Sequence, residues 1–221
     1  MQHWRIPLAD AVVHITMTDR EFGSVDVASV PAGADQVVDR PWVQARQVHG
    51  ADVLVIDDAP LHGAEADVLV TARRDIALAV RSADCATLAL VGDDGSVAAV
   101  HAGWRGLAAG AIGVAAAELR GRGAQHVCAV VGPHIGVECY EFGGDDLVAL
   151  AAQFGDDVIG RTSDERPALD VAAAVRRALD EASVELIASD ARCTACSDEL
   201  WSHRAAGDTE RQALVVWIES A

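Results

Sequence analysis

Residues 76–106 read IALAVRSADCATLALVGDDGSVAAVHAGWRG. Three short runs rich in Val, Ile, Leu and Ala lie within this stretch, at positions 76–81, 87–91 and 97–101. Runs of this length, bounded by turn residues, are typical of β-strands. The turn Gly92-Asp93-Asp94-Gly95 between the last two runs predicts a β-hairpin. We therefore expect the middle of the chain to be built from strands.

Outside this stretch, strand-like and helix-like segments follow one another. Further strands are predicted at 12–16, 52–56, 67–71, 127–131 and 213–218. Helices are predicted at 106–122, ended by Gly123, at 144–154, and at 170–183, where Asp170 is a candidate N-cap. These segments predict an α/β fold, with mixed β-sheets flanked by helices in a single layered domain that spans residues 1–221.

Length, composition and charge limit the classes of function. The 221 residues are 51% apolar, which favours a folded domain with a substantial core over a disordered chain. The formal net charge of −17 argues against binding to nucleic acid or to an anionic membrane, because both need a cationic surface. No apolar run approaches the roughly 18 residues of a membrane-spanning helix, and residues 1–5 lack a signal-peptide pattern. We therefore expect a cytoplasmic protein, in which an anionic substrate needs a local cluster of arginines.

His49, Cys85 and His101 are the candidate metal ligands, and each lies in a short segment dense with polar residues and glycine. Two imidazole nitrogens and one thiolate sulfur suit zinc, with a fourth position left open for water or substrate. The three residues are far apart in sequence, so spacing alone does not identify a site. Taken singly, His49 can be an ordinary surface histidine and Cys85 a small buried apolar residue.

The chain contains five cysteines, and two of them are closely spaced. An odd count without a secretion signal does not indicate a disulfide framework. Cys193 and Cys196 have the spacing of half a zinc site, but the sequence shows no second half. We therefore expect two reduced thiols near a turn, without metal.

Several segments, in their order along the chain, together resemble one known family. They are Gln47-Val48-His49-Gly50, Ala66-Asp67 at a strand start, Arg81-Ser82-Ala83-Asp84-Cys85, His101-Ala102-Gly103-Trp104-Arg105-Gly106, Gly132-Pro133-His134-Ile135-Gly136 and Cys139-Tyr140-Glu141. They resemble the laccase-domain family, first named multicopper polyphenol oxidase and later reassigned as zinc-dependent purine nucleoside phosphorylase with adenosine deaminase activity. A bacterial branch of that family is linked to editing of peptidoglycan precursors. The resemblance implies that His49, Cys85 and His101 hold zinc, with copper as the less favoured metal.

The chain departs from the family pattern mainly near its C-terminus. The usual Ser-Tyr-Arg-Arg reads Ser202-His203-Arg204-Ala205, and the usual Thr-Gly-Arg-Gln reads Thr209-Glu210-Arg211-Gln212. Thr87 also stands where the family usually has Pro. The proposed metal ligands are untouched, so these departures concern the rim that faces the substrate.

The other candidate site residues are one carboxylate, one histidine and five arginines. Asp84 is a candidate to orient a ligand histidine or accept a proton, with capping of a turn as the alternative. His134 is a candidate general acid, with an ordinary loop histidine as the alternative. Arg105 is the first candidate to hold phosphate, because it lies near a helix start and a guanidinium matches phosphate oxygens bidentately. Further candidates, each of which could equally be an ordinary surface arginine, are Arg46, Arg81, Arg204 and Arg211.

The leading functional hypothesis is phosphorolysis of adenosine, inosine or methylthioadenosine to free base and ribose 1-phosphate, with adenosine deamination as a second activity. The expected partners are therefore a purine nucleoside and phosphate, and the expected assembly is a monomer or small homo-oligomer. One alternative is an amidase of cell-wall precursors that uses Cys85 as nucleophile, with His49 or His101 as base. A second is a polyphenol oxidase, which the absence of any His-x-His pair among the eight histidines disfavours. A binding module is the third, and it gives the open metal position no purpose.

Overall fold

The computed structural model describes residues 1–26, 32–58 and 63–221. The strands are β1 (Gln2–Pro7), β2 (Ala11–Met17), β3 (Trp42–Val43), β4 (Val53–Val55), β5 (Val68–Thr71), β6 (Ala77–Ser82), β7 (Ala86–Gly92), β8 (Val97–Ala102), β9 (Val127–Val131), β10 (Ile159–Arg161), β11 (Pro167–Leu169), β12 (Glu185–Ser189) and β13 (Gln212–Ser220). The helices are α1 (Ala34–Val37), α2 (Trp104–Ala108), α3 (Ala111–Arg122), α4 (Gly144–Phe154), α5 (Val171–Glu181) and α6 (His203–Ala206), and 3₁₀ turns lie at Val137–Cys139 and Asp156–Val158.

Two mixed β-sheets form the centre of the fold. The smaller sheet has the strand order β1-β2-β13-β6-β3, and the larger has the order β12-β9-β7-β8-β5-β4. Most neighbouring strands run antiparallel, but β3 with β6, β4 with β5 and β9 with β12 run parallel. The predicted α/β fold with mixed sheets flanked by helices is therefore confirmed.

The central strands of the larger sheet, β5, β7, β8 and β9, are buried on both faces, which explains their nearly continuous apolar sequences. In β7, Leu88 and Leu90 belong to a core cluster shared with helices α2 to α5, whereas Ala89 and Val91 belong to a cluster shared with the smaller sheet. A strand covered on both sides needs apolar residues at every position rather than at alternate ones. The layers are thus helices, larger sheet and smaller sheet.

The strongest local sequence signals were correct. Strand β9 and helix α4 have the predicted bounds, and β7 and β8 form the predicted antiparallel hairpin. The side chain of Asp170 accepts a hydrogen bond from the N–H of Ala173 at 2.8 Å, as an N-cap residue does. Among the described residues, no helix is both long and apolar enough to cross a membrane.

The prediction of one helix over 106–122 was correct at its C-terminal end, because α3 ends at Arg122 before Gly123, but it was wrong in its start and its continuity. Helix α2 begins earlier, at Trp104, and Gly110 with a φ of 82° separates it from α3. That left-handed conformation ends one helix and lets the chain turn into the next. The structure also contains β1, β3, β10, β11, β12, α1 and α6, which the sequence did not predict.

Candidate metal and anion site

The candidate site lies where the chain crosses from one sheet to the other. Strand β6 ends at Ser82 in the smaller sheet and β7 begins at Ala86 in the larger, so residues 83–85 form the crossing. In the neighbouring strand β8, His101 is the partner of Thr87, which places it beside the start of β7. Side chains at such strand ends are held by two rigid sheets rather than by a free loop.

The structure brings together the three side chains that the sequence singled out as metal ligands. The candidate ligand atoms of His49, Cys85 and His101 all lie within 4.8 Å of one another, and the two imidazole rings meet edge to face at 4.9 Å between centroids. A Cβ added at Gly103 would lie 3.0 Å from both the Cys85 Sγ and the His49 Cδ2. The glycine therefore leaves room for the three groups to converge.

Asp67 organises both histidines, a role that the sequence analysis did not assign. Its fully buried carboxylate accepts hydrogen bonds from the N–H groups of Val48, His49 and Gly50, at 3.1, 3.1 and 2.7 Å. It also accepts a hydrogen bond from the Nδ1 of His101 at 2.8 Å. Because the carboxylate holds the proton on Nδ1, the Nε2 of His101 remains available to a metal, as in carboxylate–histidine–zinc arrangements.

Contacts within the triad and with Asp67 shift the pKa values of Cys85 and His101 in opposite directions. Burial acts to raise the pKa of the Cys85 thiol, but hydrogen bonds with His101 and His49 outweigh it and lower the pKa to about 6. Burial acts to lower the pKa of His101, but its contacts with Asp67 and Cys85 outweigh that and raise it to about 9. The thiolate form of Cys85, which is the form that binds metal, is therefore favoured near neutral pH.

Among the described residues, the Asp84 carboxylate makes no hydrogen bond to either histidine of the triad. Its Oδ1 accepts hydrogen bonds from the hydroxyls of Thr194 and Ser202, at 2.6 and 2.7 Å. Its Oδ2 accepts one from the N–H of Arg204 at 2.7 Å. The carboxylate that orients His101 is Asp67, not Asp84, whereas Asp84 holds the C-terminal segment against the crossing; a role of Asp84 as proton acceptor stays a prediction.

Two residues of this region adopt backbone conformations that L-residues other than glycine rarely take. His49 has a φ of 62° and Asp84 a φ of 93°. Such conformations cost on the order of 1–3 kcal/mol each and persist where surrounding contacts fix them. Here the contacts of Asp67 fix the backbone around His49, and three hydrogen bonds fix Asp84.

The triad opens into a cleft of about 520 Å³ that is rich in arginine. Ligand pockets for small molecules typically have volumes of roughly 300–1,000 Å³, so the cleft has the size of a small-molecule site. Besides the triad and Asp84, side chains on its wall include Arg81, Trp104, Arg105, Tyr140, His203, Arg204 and Arg211. In the described part of the chain, Asp84 is the one acidic residue of the lining, although the net charge of the whole chain is −17.

The four arginines of the cleft differ in what they already bind. The guanidinium of Arg105 lies over the Trp104 ring at 4.3 Å and makes no hydrogen bond or ion pair within residues 1–26, 32–58 and 63–221. The Nε of Arg81 is buried and likewise has no hydrogen-bond partner among the described residues. By contrast, Arg204 donates to the carbonyl of Glu141, and Arg211 donates to the carbonyls of residues 208 and 210. Arg81 and Arg105 thus have the most unused donor capacity.

Two predicted site residues lie outside the cleft. Arg46 is exposed and forms an ion pair with Glu65, so a phosphate role for it has no support in this geometry. His134 is absent from the cleft lining. Its Nδ1 donates a hydrogen bond to the backbone carbonyl of Ile135 at 3.0 Å. Burial lowers the pKa of His134, as expected for an imidazole packed away from water.

Tyr140 and His203 line the cleft, although the sequence analysis gave neither a role. Burial and the nearby Cys85 raise the pKa of Tyr140 to about 12, so its hydroxyl stays protonated and remains a hydrogen-bond donor. His203 begins helix α6, whose N-cap Ser202 is bound to Asp84. In the sequence, Tyr140 and His203 stand out only as members of the family-like segments 139–141 and 202–205. Both are distant from His49, Cys85 and His101 along the chain, so the sequence does not show that they share a cleft with the triad.

Fold and site together define a class: an α/β protein with two facing mixed sheets and a Cys/His triad at the crossing between them. The chain belongs to the family described as multi-copper polyphenol oxidoreductase laccase, whose model matches residues 28–219. This finding confirms the resemblance that the sequence motifs indicated.

Relatives with curated names share this region. The chain is 37% identical over 182 residues to a purine nucleoside phosphorylase of Corynebacterium glutamicum, which covers 80% of this chain and 74% of the relative. It is 32% identical over 189 residues to the purine nucleoside phosphorylase YfiH of Escherichia coli, covering 80% and 73% of the two chains.

Solved structures share the fold. The structure of the Bacillus licheniformis hypothetical protein YfiH matches with a TM-score of 0.81 at 20% identity, over 94% of this chain and 96% of that one. The Neisseria meningitidis protein NMB0706 matches with a TM-score of 0.79 at 23% identity, over 99% and 100% of the two chains. At these identities the likeness establishes the architecture.

Proposed function

We propose that this chain is a zinc-dependent purine nucleoside phosphorylase. One observation carries the proposal: a metal-type triad and four arginines face the same cleft, so that a cation site and an anion site adjoin. The curated relatives named purine nucleoside phosphorylase supply the substrate class, a purine nucleoside and phosphate. Adenosine, inosine and methylthioadenosine are the proposed nucleosides.

His49, Cys85 and His101 would hold the zinc ion. The donor set fits zinc because it combines one thiolate with two imidazoles. Asp67 fixes the proton on the Nδ1 of His101, which leaves the Nε2 to face the metal. Three ligands leave a coordination position open, as in catalytic rather than structural zinc sites. When bound, zinc acts as a Lewis acid and lowers the pKa of a bound water to about 7.

Arg105 and Arg81 are the proposed phosphate-binding residues. The guanidinium of Arg105 has no hydrogen-bond or ion-pair partner in the described part of the chain, and the Nε of Arg81 is a buried donor without an acceptor there. A buried donor without an acceptor costs about 1–3 kcal/mol, which a bound phosphate oxygen would recover. In phosphorolysis that phosphate forms a bond to the anomeric carbon of the ribose while the carbon–nitrogen bond to the base breaks.

The departing purine takes the electrons of the broken bond and needs a proton or a hydrogen bond. Tyr140 remains protonated and can donate a hydrogen bond to the base. His203 lies on the same cleft, and histidine is the side-chain type that most readily transfers protons near neutral pH. We therefore assign to His203 the proton-donating role that the sequence analysis gave to His134.

Adenosine deamination is the proposed second activity, since an open zinc position beside a purine pocket is also what deaminases use. The amidase alternative gains support from one observation, the lowered pKa of Cys85 beside two histidines. Bound zinc would make that thiolate a poor nucleophile, so metal content separates the two functions. Multicopper oxidase chemistry finds no support, because neither metal-type cluster among the described residues holds more than two histidines.

Steady-state kinetics with inosine and phosphate test the proposal. Arg105→Lys keeps the positive charge but loses the planar guanidinium that can bind two phosphate oxygens at once. It should therefore raise the phosphate KM more than the nucleoside KM. Arg46→Lys is the matched control, because Arg46 lies outside the cleft, and it should leave both constants unchanged. Base release that is independent of phosphate, or equal effects of the two variants, would contradict the assignment.

A further inference from the structure

A second cluster of metal-type side chains lies outside the cleft. Glu138 and Cys139 come from the 3₁₀ turn Val137–Cys139, and Cys193 and Cys196 come from the segment after β12. One ligand atom from each of the four residues lies within 4.8 Å of the others. The fold thus supplies the second half of a site that the spacing of Cys193 and Cys196 lacked.

The distances within this cluster suit a shared metal ion. The Sγ atoms of Cys139 and Cys196 are 3.3 Å apart, and the Sγ of Cys196 is 3.6 Å from the Oε1 of Glu138. Around a tetrahedral zinc with Zn–S distances of about 2.3 Å, neighbouring sulfurs lie roughly 3.8 Å apart. A disulfide requires about 2.05 Å between the sulfurs, so these thiols are close but not bonded.

The surrounding backbone is shaped to this cluster. The N–H of Gly136 donates a hydrogen bond to the Sγ of Cys193 at 3.1 Å, as backbone donors do to metal-bound thiolates. A Cβ added at Gly136 would lie 2.3 Å from the Oε1 of Glu138. The absence of a side chain at Gly136 is therefore what allows the carboxylate to fold in beside the three thiols.

We propose that Glu138, Cys139, Cys193 and Cys196 bind a second zinc ion in a closed, structural site. Three thiolates and one carboxylate complete four-fold coordination, which leaves no position for substrate. The ion would tie the segment before the cleft-lining Tyr140 to the segment that contains Thr194. Because Thr194 donates a hydrogen bond to Asp84, a metal here would brace one wall of the cleft without taking part in the reaction.

Metal analysis of the whole chain, expressed with zinc and purified under reductant without chelator, tests this site. We expect two zinc ions per chain. Cys196→Ser should lose one of them and keep the other, whereas Cys85→Ala should lose the other. Cys128→Ser is the matched control, because Cys128 belongs to neither cluster in the described part of the chain, and it should keep both.

Thiol labelling gives a second readout that does not depend on a variant folding. Cys196 is exposed, so burial does not protect it, and a bound metal would block its alkylation until a chelator removes the ion. We expect iodoacetamide to label Cys139, Cys193 and Cys196 at least tenfold faster after a chelator is added, as followed by mass spectrometry. One zinc per chain that Cys196→Ser retains, equal labelling with and without chelator, or a Cys139–Cys196 disulfide in the reduced preparation would overturn the proposal. The metal count in the Cys85→Ala variant keeps this outcome separate from failure of the cleft assignment.

Discussion

Asp67→Asn is the substitution that most sharply tests how the triad is held. Each carboxylate oxygen of Asp67 accepts two hydrogen bonds: Oδ1 from His49 and His101, and Oδ2 from Val48 and Gly50. Asparagine keeps one oxygen and places an NH₂ group against the other two donors. Two donors therefore lose their acceptor in either orientation of the amide.

The expected cost follows from that count. An unsatisfied buried donor costs about 1–3 kcal/mol, so two of them give about 2–6 kcal/mol. Water can reach the backbone near Val48, which is 39% exposed, so we expect a loss near the lower end, about 2–3 kcal/mol in the free energy of unfolding. Loss of a carboxylate behind a ligand histidine typically weakens metal affinity by about 10–100-fold, and we expect this for zinc at the triad.

Two assays on Asp67→Asn check these magnitudes. Chemical denaturation of the metal-free protein gives the free energy of unfolding, and competition with a fluorescent chelator gives the zinc affinity. Asp52→Asn is the control, because Asp52 is an exposed carboxylate just before β4, three residues from His49. Wild-type zinc affinity in Asp67→Asn would refute the role assigned to this carboxylate.

Three further outcomes follow from the geometry. Gly103→Ala should lower zinc occupancy at the triad, since the added Cβ would lie 3.0 Å from Cys85 and His49. Gly113→Ala on α3 is the control, because open space surrounds that position, and it should leave occupancy unchanged. Elemental analysis of both variants measures the occupancy. In metal-free protein, alkylation of Cys85 should reach its half-maximal rate near pH 6, because only the thiolate reacts and it is protonated below its lowered pKa; a midpoint near 9 in a stopped-time labelling series would contradict this. Asp170→Ala removes the N-cap of α5 and should lower the free energy of unfolding by about 0.5–2 kcal/mol, as measured by urea denaturation, and an unchanged midpoint would show that the cap contributes nothing.

The parts of the fold that the sequence predicted are those fixed by local pattern. Strands β7, β8 and β9 are buried on both faces, so their apolar runs stand out against the turns between them. Strand β1 was missed because it is a half-exposed edge strand that contains Arg5 and Pro7, and such composition does not distinguish a strand from a loop. The break at Gly110 was missed because a single glycine occurs both within helices and between them.

The site was predictable in its ligands but not in its supporting contacts. His49, Cys85 and His101 carried recognisable segments, and the structure brings them together. The partnership of Asp67 with His101 depends on β5 pairing with β8, which no local pattern reveals. The same limit explains the placement of His134. It follows a strand but lies away from the cleft, and its backbone forms an isolated β-bridge with that of Cys193.

The central claim is that zinc at His49, Cys85 and His101 supports phosphorolysis in the arginine-lined cleft. The most direct measurement is phosphate-dependent release of hypoxanthine from inosine while zinc is titrated into chelator-treated protein. We predict that activity returns in proportion to zinc bound at the triad and that Cys85→Ala stays inactive at every zinc concentration. Full activity in the chelator-treated protein, or recovery of activity by Cys85→Ala, would contradict the account.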